Sequence, residues 1–353
     1  MVDNIVFLVS FSHHFTFNET LHNLKENPTN SSDKIFTIGF SNSYFKHDLD
    51  VNPKLSPLKK FILVSKFLNN ISHKQTRKKK VKLVFISSGF LNLLLIFRFM
   101  RAFHIFHVIH DFKPHSGEKN FLKILIYNHL IVLLCDIITH SKYTSNQILF
   151  SYKNIENKIT LLPLTRYYGK VYTYNPSLKK VLLFGRLNYY KGLNFLPFLI
   201  YDNPDIEFIF AGKIDFRFVS YFDKNIKVFR NARIIDRVIA ANEMEQIFTS
   251  CNLVILPYID ASQSGVIVDA YKFGLPVVAF DVGALCEQIV HESTGFLIYK
   301  NDSKKFSNAL KKYFYLDSKT KISFSNNARD FGYRNYSSEL NSKKFFDGLN
   351  LKK

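Results

Sequence analysis

Short runs of β-branched and aromatic residues alternate with longer runs whose apolar residues recur at helical spacing, and this alternation occurs twice along the chain. A strand followed by a crossover helix and another strand is how a chain builds a parallel sheet, so the pattern limits the fold more than any single motif. In the first half, 5–9, 34–38, 82–86, 104–109 and 135–139 read as strands, and 57–71, 91–101 and 119–130 as helices. A polar stretch, 167–178, contains Asn175-Pro176-Ser177 and reads as a linker. Beyond it, strands are expected at 181–184, 207–211, 234–238, 253–256 and 277–280. Helices are expected at 193–200, 243–250, 265–273, 284–291 and 303–316.

The expected fold is therefore α/β, with two tandem Rossmann-like domains at 1–166 and 179–335 and a C-terminal helix in 336–353 packing back on the first. A length of 353 residues suits two cores of similar size. Doubly wound sheets bind ligands beyond the carboxyl ends of their strands, which predicts an interdomain cleft with a ligand in it.

Charge narrows the choice of partners. The formal net charge is +20, and between Asp50 and Asp111 there is no acidic residue but twelve cations, among them Arg77, Lys78, Lys79 and Lys80. Aromatics and leucines are interleaved with them. An anionic membrane surface, nucleic acid and plain solvation all fit such a stretch. No segment has the roughly 18 to 20 uninterrupted apolar residues of a spanning helix, so contact with a membrane would be peripheral. The three cysteines, Cys135, Cys251 and Cys286, are too far apart for a CxxC pair and suit a reducing compartment. With no secretory leader visible, a cytoplasmic address is expected, on the inner face of the membrane if on one at all.

Two blocks carry chemistry. The first is Leu183-Phe184-Gly185-Arg186, followed by Lys191-Gly192. A strand would end at Phe184, Gly185 would permit a tight turn, and two cations beside it suit a diphosphate whose charge grows as a glycosyl bond breaks. The same spacing also fits a glycine turn with two surface cations. The second block runs from Leu256-Pro257-Tyr258 through Ser262-Gln263-Ser264-Gly265-Val266 to Asp269, then Gly274-Leu275-Pro276. A helix opening near Ser264 and Gly265 would offer its free N–H groups to phosphate or sugar hydroxyls. Asp269, one turn inside that helix, suits ribose hydroxyls; taken alone, it reads first as a surface acid or an intrahelical partner of Lys272.

In this order the two blocks resemble family 4 of the retaining glycosyltransferases, whose fold is called GT-B. Arg186 and Lys191 match the family's diphosphate-binding pair, and Asp269 matches the second acid of its Glu-x7-Glu element. The first acid would fall at Ala261, so this chain resembles a variant in which Gln263, Ser264 and the amides of Gly265 and Val266 face the donor. Phe210-Ala211-Gly212, Val282-Gly283 with Glu287, and Gly295-Phe296-Leu297 extend the likeness over about 181–298. In the first half, Val108-Ile109-His110-Asp111 resembles a strand-terminal His-Asp element, which implies that His110 contacts the donor sugar. His115 and His140 are weaker candidates, and His13 and His14 weaker still. Ser10-Phe11-Ser12 stands where a glycine-rich loop is usual.

The resemblance implies a retaining hexosyltransferase that uses a nucleoside diphosphate sugar, UDP-sugar before GDP-sugar, without metal or other cofactor. The acceptor would be a saccharide or lipid-linked saccharide of surface polysaccharide or glycoconjugate synthesis, and an anionic membrane a partner. Asp48-Leu49-Asp50 has the spacing of a metal-holding Asp-x-Asp but is expected in a loop, with no metal. Two rivals stand beside this reading: another enzyme of the fold, such as a phosphorylase or sugar-nucleotide epimerase, and a basic nucleic-acid-binding protein. No recognisable nucleic-acid motif accompanies the basic stretch.

Overall fold

The computed structural model describes all residues except 1–3, 13–14, 27–33, 41–45, 75–79, 118–119, 300 and 351–353. His13, His14 and most of the Arg77-to-Lys80 run therefore lie outside the described residues. The chain forms two units: 1–113, 121–167 and 338–353 make the first, and 114–120 with 168–337 the second.

The first unit opens with β1 (Asn4–Ser10), α1 (Phe15–Glu26), β2 (Lys34–Phe40) and β3 (Leu49–Val51). It continues with α2 (Pro57–Lys74), β4 (Lys80–Phe85), α3 (Phe90–Phe99) and β5 (His104–Val108). It then runs through α4 (Phe121–Leu134), β6 (Asp136–Thr139), α5 (Lys142–Ser151) and β7 (Ile159–Leu161). All pairings are parallel, in the order β3-β2-β1-β4-β5-β6-β7. Side chains alternate across a strand, so Ile5, Phe7 and Val9 enter one layer with residues of α2, α3, α4 and α5. Val6 and Leu8 enter the other with Leu21 and Leu24 of α1.

The second unit holds β8 (Lys180–Phe184), α6 (Leu196–Tyr201), β9 (Glu207–Ala211), α7 (Val219–Asn225) and β10 (Ala232–Ile235). Then come α8 (Ala241–Thr249), β11 (Leu253–Leu256), α9 (Gly265–Lys272), β12 (Val277–Phe280) and α10 (Leu285–Gln288). Strand β13 (Gly295–Ile298) and helices α11 (Ser303–Tyr315) and α12 (Ser318–Tyr336) complete it. Its sheet, also parallel, has the order β10-β9-β8-β11-β12-β13. The last helix, α13 (Ser338–Asn350), belongs to the first unit, where Phe345, Phe346 and Leu349 pack with Val6 and Leu8.

Three sequence expectations need correction. Asp48 and Asp50 are not in a free acidic loop: Leu49–Val51 pairs with β2. The Asp48 carboxylate accepts from the Thr37 amide at 2.7 Å and from Lys25 at 2.8 Å, while Asp50 accepts from the His47 amide at 3.2 Å. Of the twelve cations between Asp50 and Asp111, Lys82 is buried: its side chain points to the α13 side of the sheet, where it is 3% exposed and donates to Asn350. The strand expected at 234–238 lies at Ala232–Ile235, and the helix expected at 284–291 ends at Gln288, since Ile289 is extended (φ −120°, ψ 126°).

Candidate functional site

The strand order of the second unit reverses between β8 and β11, and ligands of doubly wound sheets bind beyond such a switch point. Both sequence blocks fall there. Strand β8 ends at Phe184, and Gly185 turns the chain with φ of 88°, a left-handed conformation that glycine adopts without strain. A Cβ at position 185 would lie 2.9 Å from Lys191 Nζ, so the turn and the ammonium are in close approach. Lys191 folds back over this turn from the 3-10 segment Tyr189–Lys191 and donates to the Phe184 carbonyl at 2.5 Å. Its ammonium lies 5.2 Å from the centroid of the Tyr258 ring. Burial, with only 4% of the residue exposed, pushes the Lys191 pKa down to about 7, and the charge of Arg186 adds to the effect. Arg186 itself is exposed. The two cations therefore differ in setting: Arg186 is exposed, and Lys191 is buried and poised to gain a proton.

The loop after β11 meets this turn. Gly192 approaches so closely that a Cβ there would lie 1.7 Å from the Pro257 carbonyl oxygen, and the Ile259 amide donates to Tyr190 O at 2.8 Å. Helix α9 then opens at Ser264, whose side chain makes no capping hydrogen bond to the first turn. The helix start is instead held from outside. Gln288 accepts from the Ser264 amide at 2.7 Å and donates to the Ser264 carbonyl at 3.1 Å, a two-point clamp on one residue's backbone. Val266 lies 4.0 Å from where a Gly185 Cβ would stand, so Gly185, Lys191, Tyr258 and the first turn of α9 converge. Helix N-termini favour anions, and here one stands beside two basic side chains.

The remaining expected residues fall as follows. Gln263 and Gly265 are half-buried in the same turn, and Asp269 is 6% exposed one turn further along α9. Ala261, where the family's first acid would stand, is buried; its carbonyl accepts from the Ala284 amide at 3.0 Å and abuts Gly283. His110 belongs to the first unit, at the end of β5, and its Nε2 donates to the Ile86 carbonyl at 2.8 Å. Its ring is 5.2 Å from that of His140, whose Nδ1 donates to Leu162 O at 2.8 Å. Burial lowers both pKa values, that of His140 to about 3, so both imidazoles are neutral near pH 7.

Sequence reasoning missed two groups. Gln288 carries no local signal, because its partner is 24 residues away. His115 was ranked low, yet the 114–120 segment packs in the second unit, where its ring stacks on Tyr190 at 4.4 Å and its Nδ1 lies 3.3 Å from Asp260. Its signal in the sequence is Pro114-His115, which continues the His110-Asp111 element into the break between β5 and α4.

Comparison with known proteins bears on this geometry. Residues 178–314, which contain both blocks, match the family described as glycosyl transferases group 1. An uncharacterised glycosyltransferase of Methanocaldococcus jannaschii is 27% identical over 126 residues, 34% of this chain and 32% of that protein. The chain thus aligns with about a third of that relative's length. Among solved structures, HepE of Anabaena in complex with UDP-glucose matches with a TM-score of 0.75 at 16% identity, over 98% of this chain and 99% of that one. Sucrose-phosphate synthase of Thermosynechococcus elongatus matches with a TM-score of 0.72 at 15% identity, over 98% of each chain. The fold is that of the GT-B glycosyltransferases. The family match falls within the second unit, and the structural neighbours show the fold.

Proposed function

We propose that this chain is a retaining hexosyltransferase of family 4 that uses a nucleoside diphosphate sugar, with the donor seated at the switch point of the second sheet. The observation that carries the reading is the convergence of the Gly185 turn, Lys191 and the start of α9 within a segment that matches a glycosyltransferase family. Arg186 and Lys191 hold the diphosphate and stabilise the charge that grows on it as the glycosyl bond breaks. Gly265 and Val266 direct amides at phosphate or sugar, with Gln263 and Ser264 beside them, and Asp269 holds the ribose. His110, which the family resemblance implies as a donor-sugar contact, is a neutral imidazole at the end of β5, able to share a hydrogen bond but carrying no positive charge.

The leaving group departs from the face on which the acceptor hydroxyl attacks, so configuration is retained without a covalent intermediate. Charge neutralisation by Arg186 and Lys191 makes a divalent metal unnecessary. UDP-sugar is favoured over GDP-sugar because HepE, of the same fold, was solved with UDP-glucose. The acceptor is a saccharide or lipid-linked saccharide of surface polysaccharide or glycoconjugate synthesis, on the cytoplasmic side, with an anionic membrane as the surface that presents it.

The test is thermal stabilisation of the purified chain by a panel of nucleotide sugars, followed by product analysis with the best one. A UDP-sugar should raise the melting temperature, and transfer should persist in EDTA with the anomeric configuration kept. Stabilisation by no nucleotide sugar sinks the donor site; activity lost in EDTA and restored by Mn²⁺ sinks metal independence.

A further inference from the structure

The first unit carries two helical layers, one with carboxylates and one without. Helices α2, α3, α4 and α5 all cover the sheet face formed by Ile5, Phe7 and Val9. Not one Asp or Glu occurs in any of the four. On the opposite face, α1 carries Glu19 and Glu26, and α13 carries Glu339 and Asp347.

The outer side of the acid-free layer is also apolar. In α4, Leu122 (66% exposed), Ile126 (52%), Leu130 (37%) and Leu133 (61%) recur at helical spacing, while Ile131 and Val132 on the inner side are buried. A helix apolar on every side is ordinarily enclosed, so an open stripe on one calls for a cover. Phe97 of α3 is 58% exposed beside Arg98, and Phe150 of α5 is 89% exposed. Among the described residues, the exposed cations of the layer are Lys59, Lys66 and Lys142 besides Arg98 and Lys123.

We propose that the α2–α5 layer of the first unit is a docking face for an anionic lipid bilayer, with the outer stripe of α4 and Phe97 entering the headgroup region. Charge selects this occupant. Cations on a layer without carboxylates attract an anionic surface, and apolar side chains between them insert where headgroups meet acyl chains. A second copy of the same face would bring like charges together. No helix among the described residues is long and apolar enough to cross a membrane, so docking is in the plane of the surface. The inference locates the partner surface in particular residues and stands apart from the donor chemistry, because vesicle binding needs no sugar transfer.

The chain contains no tryptophan, which makes a single introduced one a clean reporter. In the full chain, Phe97→Trp should shift its emission to shorter wavelength on vesicles containing phosphatidylglycerol, and not on phosphatidylcholine alone. A tryptophan at Tyr315, 84% exposed in the second unit, should not shift on either. In sedimentation, added salt should release the protein, and Leu122→Ser with Ile126→Ser should weaken binding at least tenfold at unchanged melting temperature. Absence of vesicle binding, binding indifferent to lipid charge, or binding unaffected by the α4 changes would overturn the proposal. So would a dimer in sedimentation equilibrium that the same changes dissolve, since a second copy would then be the cover.

Discussion

The two sheets share a winding: from the first strand outward each runs to its second and third on one side and to its fourth and beyond on the other. What differs is the chemistry at the point of reversal. In the second unit that point gathers Arg186, Lys191 and the start of α9 around a glycine turn. In the first, the loops after β1 and β4 are tied by the Phe11 amide to Ser87 Oγ at 3.0 Å, and the nearby side chains are the imidazoles of His110 and His140. Arg166 is close enough to depress both, but its own charge is opposed by Glu19, 3.7 Å away. Equal topology thus carries two basic side chains at one crest and neutral imidazoles at the other. Winding sets where a ligand goes, and the side chains at the turn set its charge.

The largest effect that tests this contrast is on turnover. Arg186→Ala and Lys191→Ala should each lower it by about 10²- to 10³-fold, the usual loss when one preorganised charge contact is removed. Steady-state kinetics close to the parent for both variants would erase the distinction between the crests.

Acid should weaken the first unit selectively. His107 and His140 are held neutral, with pKa values near 3 against an ordinary 6.5, so the unfolded chain binds protons that the native one does not between those values. Stability from these groups is therefore intact above pH 6.5 and is lost as pH falls toward 3. Amide protection factors in β5 and β6 should drop by up to about tenfold per pH unit for each group. If β8 and β11 lose protection over the same range and as steeply, acid sensitivity is no mark of the first unit.

Lys191 reverses the logic on the ligand side. Its pKa near 7 leaves much of it neutral in the empty site at pH 8, and a bound diphosphate favours the charged form. Nucleoside diphosphate should therefore bind with proton uptake, its affinity falling by at most about tenfold per unit as pH rises above 7. Calorimetry in buffers of different ionisation heat reads this directly, and Lys191→Met should abolish the uptake. Uptake unchanged in that variant would assign the proton elsewhere.

The smallest expected effect concerns the helix start. Gln288→Leu removes both bonds to the Ser264 backbone and should cost about 1 kcal/mol, seen as a lower denaturant midpoint. An unchanged midpoint would show that α9 opens in place without the clamp.

Legibility in the sequence follows the same division. Strands β9, β11 and β12 lie where the runs of Val, Ile, Leu and Phe predict them, because central strands buried on both faces are apolar throughout. Edge strand β3, three residues long, gives no such run, and α12 was missed because its apolar positions are sparse among Ser, Asn and Lys. At the candidate site, Gly185 and Lys191 could be found because one turn brings them together in the chain. Gln288 and His115 act on backbone and rings far away in sequence, and a pairing of that kind leaves no spacing to read.

One hydrogen bond has a consequence for the chain as a string. The Ser338 amide donates to the Arg166 carbonyl at 2.8 Å, so the residues on either side of the 168–337 segment are neighbours in the first unit. Viewed as cloth, the second unit is a pocket sewn into a seam: the thread leaves at one stitch and returns at the next. Apart from the 114–120 segment, the second unit is one continuous insertion between those stitches, and every strand of the first sheet precedes it in the chain.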